Sequence, residues 1–464
     1  MSSPFSPTSN LRRKRTVEGS CWPCKQRRIK CDLTKPACHR CIASGTEDCS
    51  YDKLLLRWKK RPSKSMPETT QQSLLVHRSL NDMSLATNER RAVDYFKGRL
   101  WPLFSTVHEP IPPPVALALR SQPVLQALCV FAEEHRALQE KGQAQHTLEN
   151  RRLHCLTVIR GELGLEQTET ASLSALLVAV LLLYFLEGYV NCAGDDASTP
   201  CHASGASAIL DALGGFDAAY MSSDKMTRML LSEFASTDLT EAMMQDRRTR
   251  FPSVIWARME PGSVWWESPL GNRSLATVLG TMADMTSYRQ DVKEGTEPCN
   301  EMIQAFERAL QPSFSMLEHS AEEQKPLGLK CDLFDAVTAS SLSLNRSFQH
   351  AGLIYLYSAI LHIPIHHFLV QQHVHACLEC IQGMDPKTKV QNCALFPLYV
   401  AGAHAISGPH KATVLEKLDV IYKNLRFESV TCVRMTLEQI WTTSSHTSTW
   451  NDLFKGVSPY ALVI

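Results

Sequence analysis

The 464-residue chain is notable first for what it lacks. It has almost no net charge, with 48 Lys/Arg against 47 Asp/Glu. Met1–Asn10 is polar and carries no apolar core of the kind a secretory leader needs. An oxidising compartment, and with it a disulfide framework, is therefore not expected. No apolar run approaches the roughly 20 residues that cross a bilayer. The longest, Leu173 to Leu186, is fourteen residues broken by one serine, and reads as a buried core helix. Strand-like alternation is scarce. There is no G-x-S-x-G elbow, no H-E-x-x-H, no P-loop and no G-x-G-x-x-G after a strand, and Gly205 sits in S-G-A-S without the elbow's spacing. No repeat of twenty to fifty residues is present, and no heptad stretch follows the N-terminal region. These absences exclude a membrane protein and leave no support for an enzyme.

What is present is concentrated between Cys21 and Cys49. Cys21-x2-Cys24 is followed by six residues and Cys31, and Cys38-x2-Cys41 by seven residues and Cys49. Two tetrahedral zinc ions need eight sulfur positions, which six thiolates supply only if two of them bridge both metals. A duplicated unit of this spacing is what such a site requires. A single four-cysteine site would leave Cys31 and Cys49 unexplained at matched offsets. Between the first pair and its third cysteine, Lys25, Arg27, Arg28 and Lys30 make a short basic helix that the metal would hold rigidly.

Charge patterning adds an independent argument. Residues 1–65 carry sixteen Lys/Arg and five Asp/Glu, whereas the remainder carries thirty-two and forty-two. A basic arm meets phosphate, and salt-dependent binding to double-stranded DNA through counterion release is expected. Arg12, Arg13, Lys14 and Arg15 read as a nuclear-localisation signal. The run Arg57-Trp58-Lys59-Lys60-Arg61 reads as a second backbone-tracking or nuclear signal. Pro62–Thr70, with two prolines and four Ser/Thr, reads as a flexible linker.

The string from Cys21 to Asp32, with Lys35-Pro36, Cys38, Cys41 and Cys49-Ser50-Tyr51, resembles the fungal Zn(2)-C6 binuclear zinc cluster transcription factors. The resemblance implies two Zn²⁺ held by Cys21, Cys24, Cys31, Cys38, Cys41 and Cys49, with Cys21 and Cys38 bridging and Pro36 shaping the loop between the halves. It further implies that Arg27 and Arg28 reach base edges and that Lys25 and Lys30 contact phosphates. The family's CGG triplets fit the bidentate bonding of arginine to guanine.

Beyond residue 85, apolar residues recur at helical offsets. His202–Leu213 reads as a small-residue helix ended by Gly214-Gly215, its Gly205, Ala206 and Ala208 permitting close approach of another helix. Leu353–Leu361 and Thr413–Leu425 read as further helices. This body resembles the second, shorter type of fungal transcription-factor regulatory domain. The resemblance rests on His202-Ala-Ser-Gly205-Ala206 before a Gly-Gly, Tyr355-Leu-Tyr357, Leu395-Phe-Pro-Leu-Tyr-Val-Ala-Gly402, and the later Trp441 and Trp450. Where family members often carry an arginine after the Ala-Gly segment, this chain has Lys411. A second ligand cluster (His362, His366, His367, His373, His375, Cys377 and Cys380) is weighed as a metal site, since His373, Cys377 and Cys380 share helical spacing. Pro364 interrupts it, and core packing is the stronger reading.

The expected architecture is a small binuclear zinc cluster of two short helices, followed by a large all-α regulatory domain. Its parts are a basic arm (1–19), the zinc cluster (20–51), a basic flexible linker (52–84) and the helical domain (85–464). The expected function is a nuclear, sequence-specific DNA-binding regulator of RNA polymerase II genes. It would serve a dedicated pathway such as a secondary-metabolite cluster, engage CGG-like half-sites and the transcription machinery, and leave homodimerisation open. The alternative is a zinc-dependent protein-interaction module or transcriptional cofactor with only non-specific DNA binding.

Overall fold

The structure, a computed structural model, describes residues 20–27, 29–45, 49, 85–107, 109–140, 145–163, 170–193, 198–268, 275–312, 332–443, 448–455 and 460–464. The chain divides into two units, Met1–Gln71 and Gln72–Ile464. The basic runs at Arg12–Arg15 and Arg57–Arg61 and the linker lie outside the described residues.

The first unit holds α1 (Trp22–Arg27) and α2 (His39–Ala43). The second begins with α3 (Thr87–Tyr95), α4 (Val115–Ala118), α5 (Gln122–Glu140), α6 (Gln145–Leu163) and α7 (Thr170–Phe185). It continues through α8 (Thr199–Ala212), α9 (Phe216–Ser222), α10 (Lys225–Gln245), α11 (Leu275–Lys293) and α12 (Asn300–Leu310). It ends with α13 (Asp332–Tyr355), α14 (Phe368–Gln382), α15 (Leu395–Ala403), α16 (Gly408–Leu425), α17 (Glu428–Thr443) and α18 (Trp450–Phe454). The described residues contain no strand.

The most apolar stretch becomes a central helix. Ala175 to Phe185 in α7 are all buried, and the wider π turn Leu186–Val190 that continues it is buried too. A helix apolar on every face can only be enclosed by others. By length and composition Thr170–Val190 would cross a membrane, yet protein surrounds it. Helix α8 lies alongside, with Gly205 facing Val180, and Gly214 and Gly215 take positive φ (93° and 94°) to end it.

Helix α10 is buried almost throughout despite its polar sequence. The buried hydroxyls of Ser232, Ser236, Thr237 and Thr240 all find partners. Ser236 Oγ donates to the Ser232 carbonyl (2.8 Å) and accepts from Trp265 Nε1 (3.0 Å), and Thr237 accepts from Tyr184 (3.0 Å). Satisfied in this way, polar side chains cost little in a core. Asp224 caps the helix, its carboxylate accepting from Thr227 N–H at 2.8 Å.

The last residues are threaded into this core. Ala461 to Ile464 are buried, Leu462 N–H donates to the Gly188 carbonyl (2.9 Å), and Thr240 Oγ1 donates to the Val463 carbonyl (2.7 Å). A Cβ on Gly188 would stand 2.2 Å from Leu462 Cγ, so only glycine admits the tail here.

Candidate metal centre

Five cysteines of the first unit are buried, Cys49 is half-buried, and none is in a disulfide. Cys21 immediately precedes α1 and Cys24 lies in its first turn, where Pro23 is tolerated because the early N–H groups have no helical partner. Helix α1 ends at Arg27, earlier than a helix through Lys30 would. Ile29 N–H reaches back to the Cys24 carbonyl (3.1 Å), and the chain then turns inward to deliver Cys31. Cys38 is the N-cap of α2, its sulfur accepting from Cys41 N–H at 3.4 Å, which fixes the second pair. The loop between the halves contains Leu33 at φ 66° and a cis Lys35–Pro36 bond. His39 Nδ1 meets Asp32 at 3.2 Å across it.

The sulfurs converge. Cys21–Cys38, Cys21–Cys41 and Cys24–Cys38 are each 3.6 Å apart, Cys21–Cys31 is 3.7 Å and Cys24–Cys41 is 4.0 Å. A zinc ion with bonds of about 2.3 Å spaces its tetrahedral sulfurs by about 3.8 Å. A disulfide would need about 2.05 Å. The ligand atoms fall into two groups of four, Cys21/Cys24/Cys31/Cys38 and Cys21/Cys38/Cys41/Cys49, each within 4.8 Å. Cys21 and Cys38 belong to both.

Without a cation this set is frustrated. Burial pushes the Cys24 and Cys41 thiols up to about 12 and Cys21 higher still, whereas at Cys38 hydrogen bonds from Cys41 and neighbouring thiols outweigh burial and bring it down to about 6. Soft sulfurs at tetrahedral spacing, Cys21, Cys24 and Cys41 among them held protonated by burial, are a donor set that zinc ionises on binding.

The Arg27 guanidinium folds back onto the centre, donating to Cys41 Sγ (3.3 Å) and to Ser44 Oγ. Ser44 in turn donates to the Arg40 carbonyl (2.9 Å). Nothing in the cysteine spacing signals Ser44, which gains its place only when α2 packs beside α1. Lys30 is exposed, past the end of α1. Lys25 lies on α1, and its side chain and all of Arg28 lie outside the described residues.

The histidine-rich segment of the second unit is packed as core and surface. His373 Nδ1 pairs with His350 Nδ1 (3.0 Å) and stacks on Tyr357. Cys377 turns inward to the Ser347 and Pro397 carbonyls, and His375 meets His410. Among the described residues, only the six N-terminal cysteines form a group spaced to hold a metal. The other motif residues are structural. Trp441 Nε1 donates to the Gly402 carbonyl (2.9 Å), Lys411 lies over the Trp441 ring (5.5 Å), and Tyr355 packs edge-on to Trp450.

Comparison with known proteins bears on both units. A model of the fungal Zn(2)-Cys(6) binuclear cluster domain matches residues 19–57, and one of the fungal specific transcription factor domain matches residues 91–460. A stretch of 100 residues is 33% identical to the transcriptional regulatory protein moc3 of Schizosaccharomyces pombe. It covers 22% of this chain and 19% of that protein, so the chain matches about a fifth of that relative's length. No solved structure matches.

Proposed function

Because the chain belongs to the fungal-specific transcription factors that carry a Zn(2)-Cys(6) cluster, we propose that it is a sequence-specific regulator of RNA polymerase II genes that reads CGG-like triplets. At the coarser level it is a DNA-binding transcription regulator, not an enzyme, of a family that acts in the nucleus, and its cluster domain takes two zinc ions. The observation that carries the finer reading is the pair of four-sulfur groups sharing Cys21 and Cys38. Those two would bridge the metals, with Cys24 and Cys31 completing one site and Cys41 and Cys49 the other. The zinc then fixes α1, whose basic residues face the duplex. Arg28, and Arg27 once its guanidinium leaves Cys41 and Ser44, read base edges, and Lys25 and Lys30 hold phosphates.

In the same reading Arg12, Arg13, Lys14 and Arg15 direct nuclear entry from the arm 1–19. Residues 20–51 read DNA, 52–84 tether, and the helical domain 85–464 contacts the transcription machinery and a second copy of the chain. A dedicated pathway, such as a secondary-metabolite cluster, is the proposed target.

The test is selection from random duplex DNA by the zinc-loaded full-length chain beside Arg28→Ala. A CGG-like triplet should be enriched, and paired triplets would mark binding as a dimer. The variant should lose about 1–3 kcal/mol of discrimination at one base position. Absence of any enriched sequence with two zinc ions bound would sink this reading in favour of a protein-interaction module.

A further inference from the structure

Two cysteines 240 positions apart in the sequence meet in the helical unit. Cys192 follows the π turn Leu186–Val190, Cys432 lies in the second turn of α17, and their sulfurs are 3.7 Å apart. That is van der Waals contact. A disulfide needs about 2.05 Å, so closure asks the two side chains to share a movement of under 2 Å. We propose that Cys192 and Cys432 form a reversible disulfide when the protein meets hydrogen peroxide.

The two positions are unequal in a way that assigns their roles. Cys432 is half-buried and within reach of a small oxidant, whereas Cys192 is 1% exposed behind it. Cys129, Cys155 and Cys377 are wholly buried and offer no such approach. A hydrogen bond from Cys192 lowers the Cys432 thiol, while the same contact and burial raise Cys192. The outer sulfur is thus the one that ionises and attacks.

The chemistry balances with the peroxide as sole oxidant. The Cys432 thiolate attacks one peroxide oxygen and the O–O bond breaks. The leaving hydroxide takes a proton to become water, and Cys432 is left as the sulfenic acid. Cys192 then attacks that sulfur as its own proton leaves. The S–S bond forms, the S–O bond breaks, and a second water departs. Two thiols and one peroxide become one disulfide and two waters, and a dithiol reductant reverses the change by exchange. Disulfides in reducing compartments are usually of this transient, sensing kind.

The bond would close a seam that already matters to the core. Tyr189 stacks on Phe427 across it (5.0 Å, 11°), and Gly188 in the same π turn receives the C-terminal residues.

The measurement is peptide mapping of the zinc-loaded full-length chain after hydrogen peroxide, with free thiols alkylated under denaturing conditions and zinc release followed in parallel. We expect a linked peptide pair spanning 192 and 432, two mass units below the sum of its parts and separated by dithiothreitol, at peroxide doses that leave the zinc in place. In Cys192→Ser, Cys432 should stop at the sulfenic acid and be captured by dimedone. Full alkylation of both cysteines at doses that already strip the zinc would overturn the proposal, as would linkage of either to some other cysteine. The map of the unmodified chain decides the matter even if the variant does not fold.

Discussion

Two carboxylates inside the helical unit have opposite fates, set by what surrounds each. Asp246 caps the C-terminus of α10 in a left-handed conformation (φ 57°), where Arg289 (2.7 and 3.0 Å), Asn451 (2.6 Å) and Lys293 converge on it. Burial alone would raise it, but these donors hold its carboxyl at about 2. Its stabilisation is therefore complete above pH 4 and lost as pH falls toward 2. Asp246→Ala should cost about 3–5 kcal/mol in urea denaturation at pH 7, because it strands Arg289 in the core. Glu233 has the Tyr189 hydroxyl for company, and burial pushes it up to about 7. The folded chain keeps that proton to about pH 7, whereas the unfolded chain releases it near pH 4.3. Stability should thus fall by up to about 4 kcal/mol between those values. Glu233→Gln should remove that slope in melts run across pH 5 to 8, and an unchanged slope would mean that Glu233 is ionised in the fold. In the metal centre, Arg27 touches Cys41 and Ser44. Arg27→Ala should accelerate zinc loss to a chelator as well as weaken DNA binding, while Arg28→Ala should leave the zinc-loss rate unchanged.

At the scale of elements, the π turn Leu186–Val190 shows how local irregularity serves packing. The extra residue in the turn widens α7 where Gly188 must accept Leu462 N–H. Gly188→Ala forces its methyl into Leu462 and should destabilise the fold by about 1–3 kcal/mol or more. A wild-type melting temperature in that variant would show that the tail is not seated there. Some elements could be read from sequence alone and others could not. The apolar run in α7 and the Gly214-Gly215 stop after α8 were legible because length, composition and backbone freedom are local properties. Helix α10 was not legible as a core element. Ser232, Glu233, Ser236, Thr237 and Asp238 are residue types usual at a surface, and they become core only through Trp265, Tyr184 and Arg247. The His373–Cys377–Cys380 spacing was a true helical face, but His373 is engaged by His350 and Cys377 by backbone carbonyls.

Across the whole molecule, the cysteine cluster and the apolar core are separate clusters with different origins of stability. Metal binding is folding free energy in the first, and buried apolar surface dominates the second. A strong chelator should release two zinc ions per chain and unfold residues 20–50. It should leave the helical dichroism nearly intact, since α1 and α2 contribute only eleven helical residues. Collapse of the helical melt on chelation would contradict that division. The site was the more legible unit, because six cysteines at repeated spacing encode a geometry directly. Ser44's contact with Arg27 was not, since it depends on how two short helices meet. The buried tail at Leu462–Ile464 adds an order in time. A ribosome adds about 5–20 residues per second, so the last cysteine of the cluster emerges roughly 20–80 s before the segment that closes the helical core. During that interval the nascent chain can already hold zinc, while α7 and α10 still wait for the strand of backbone that covers them.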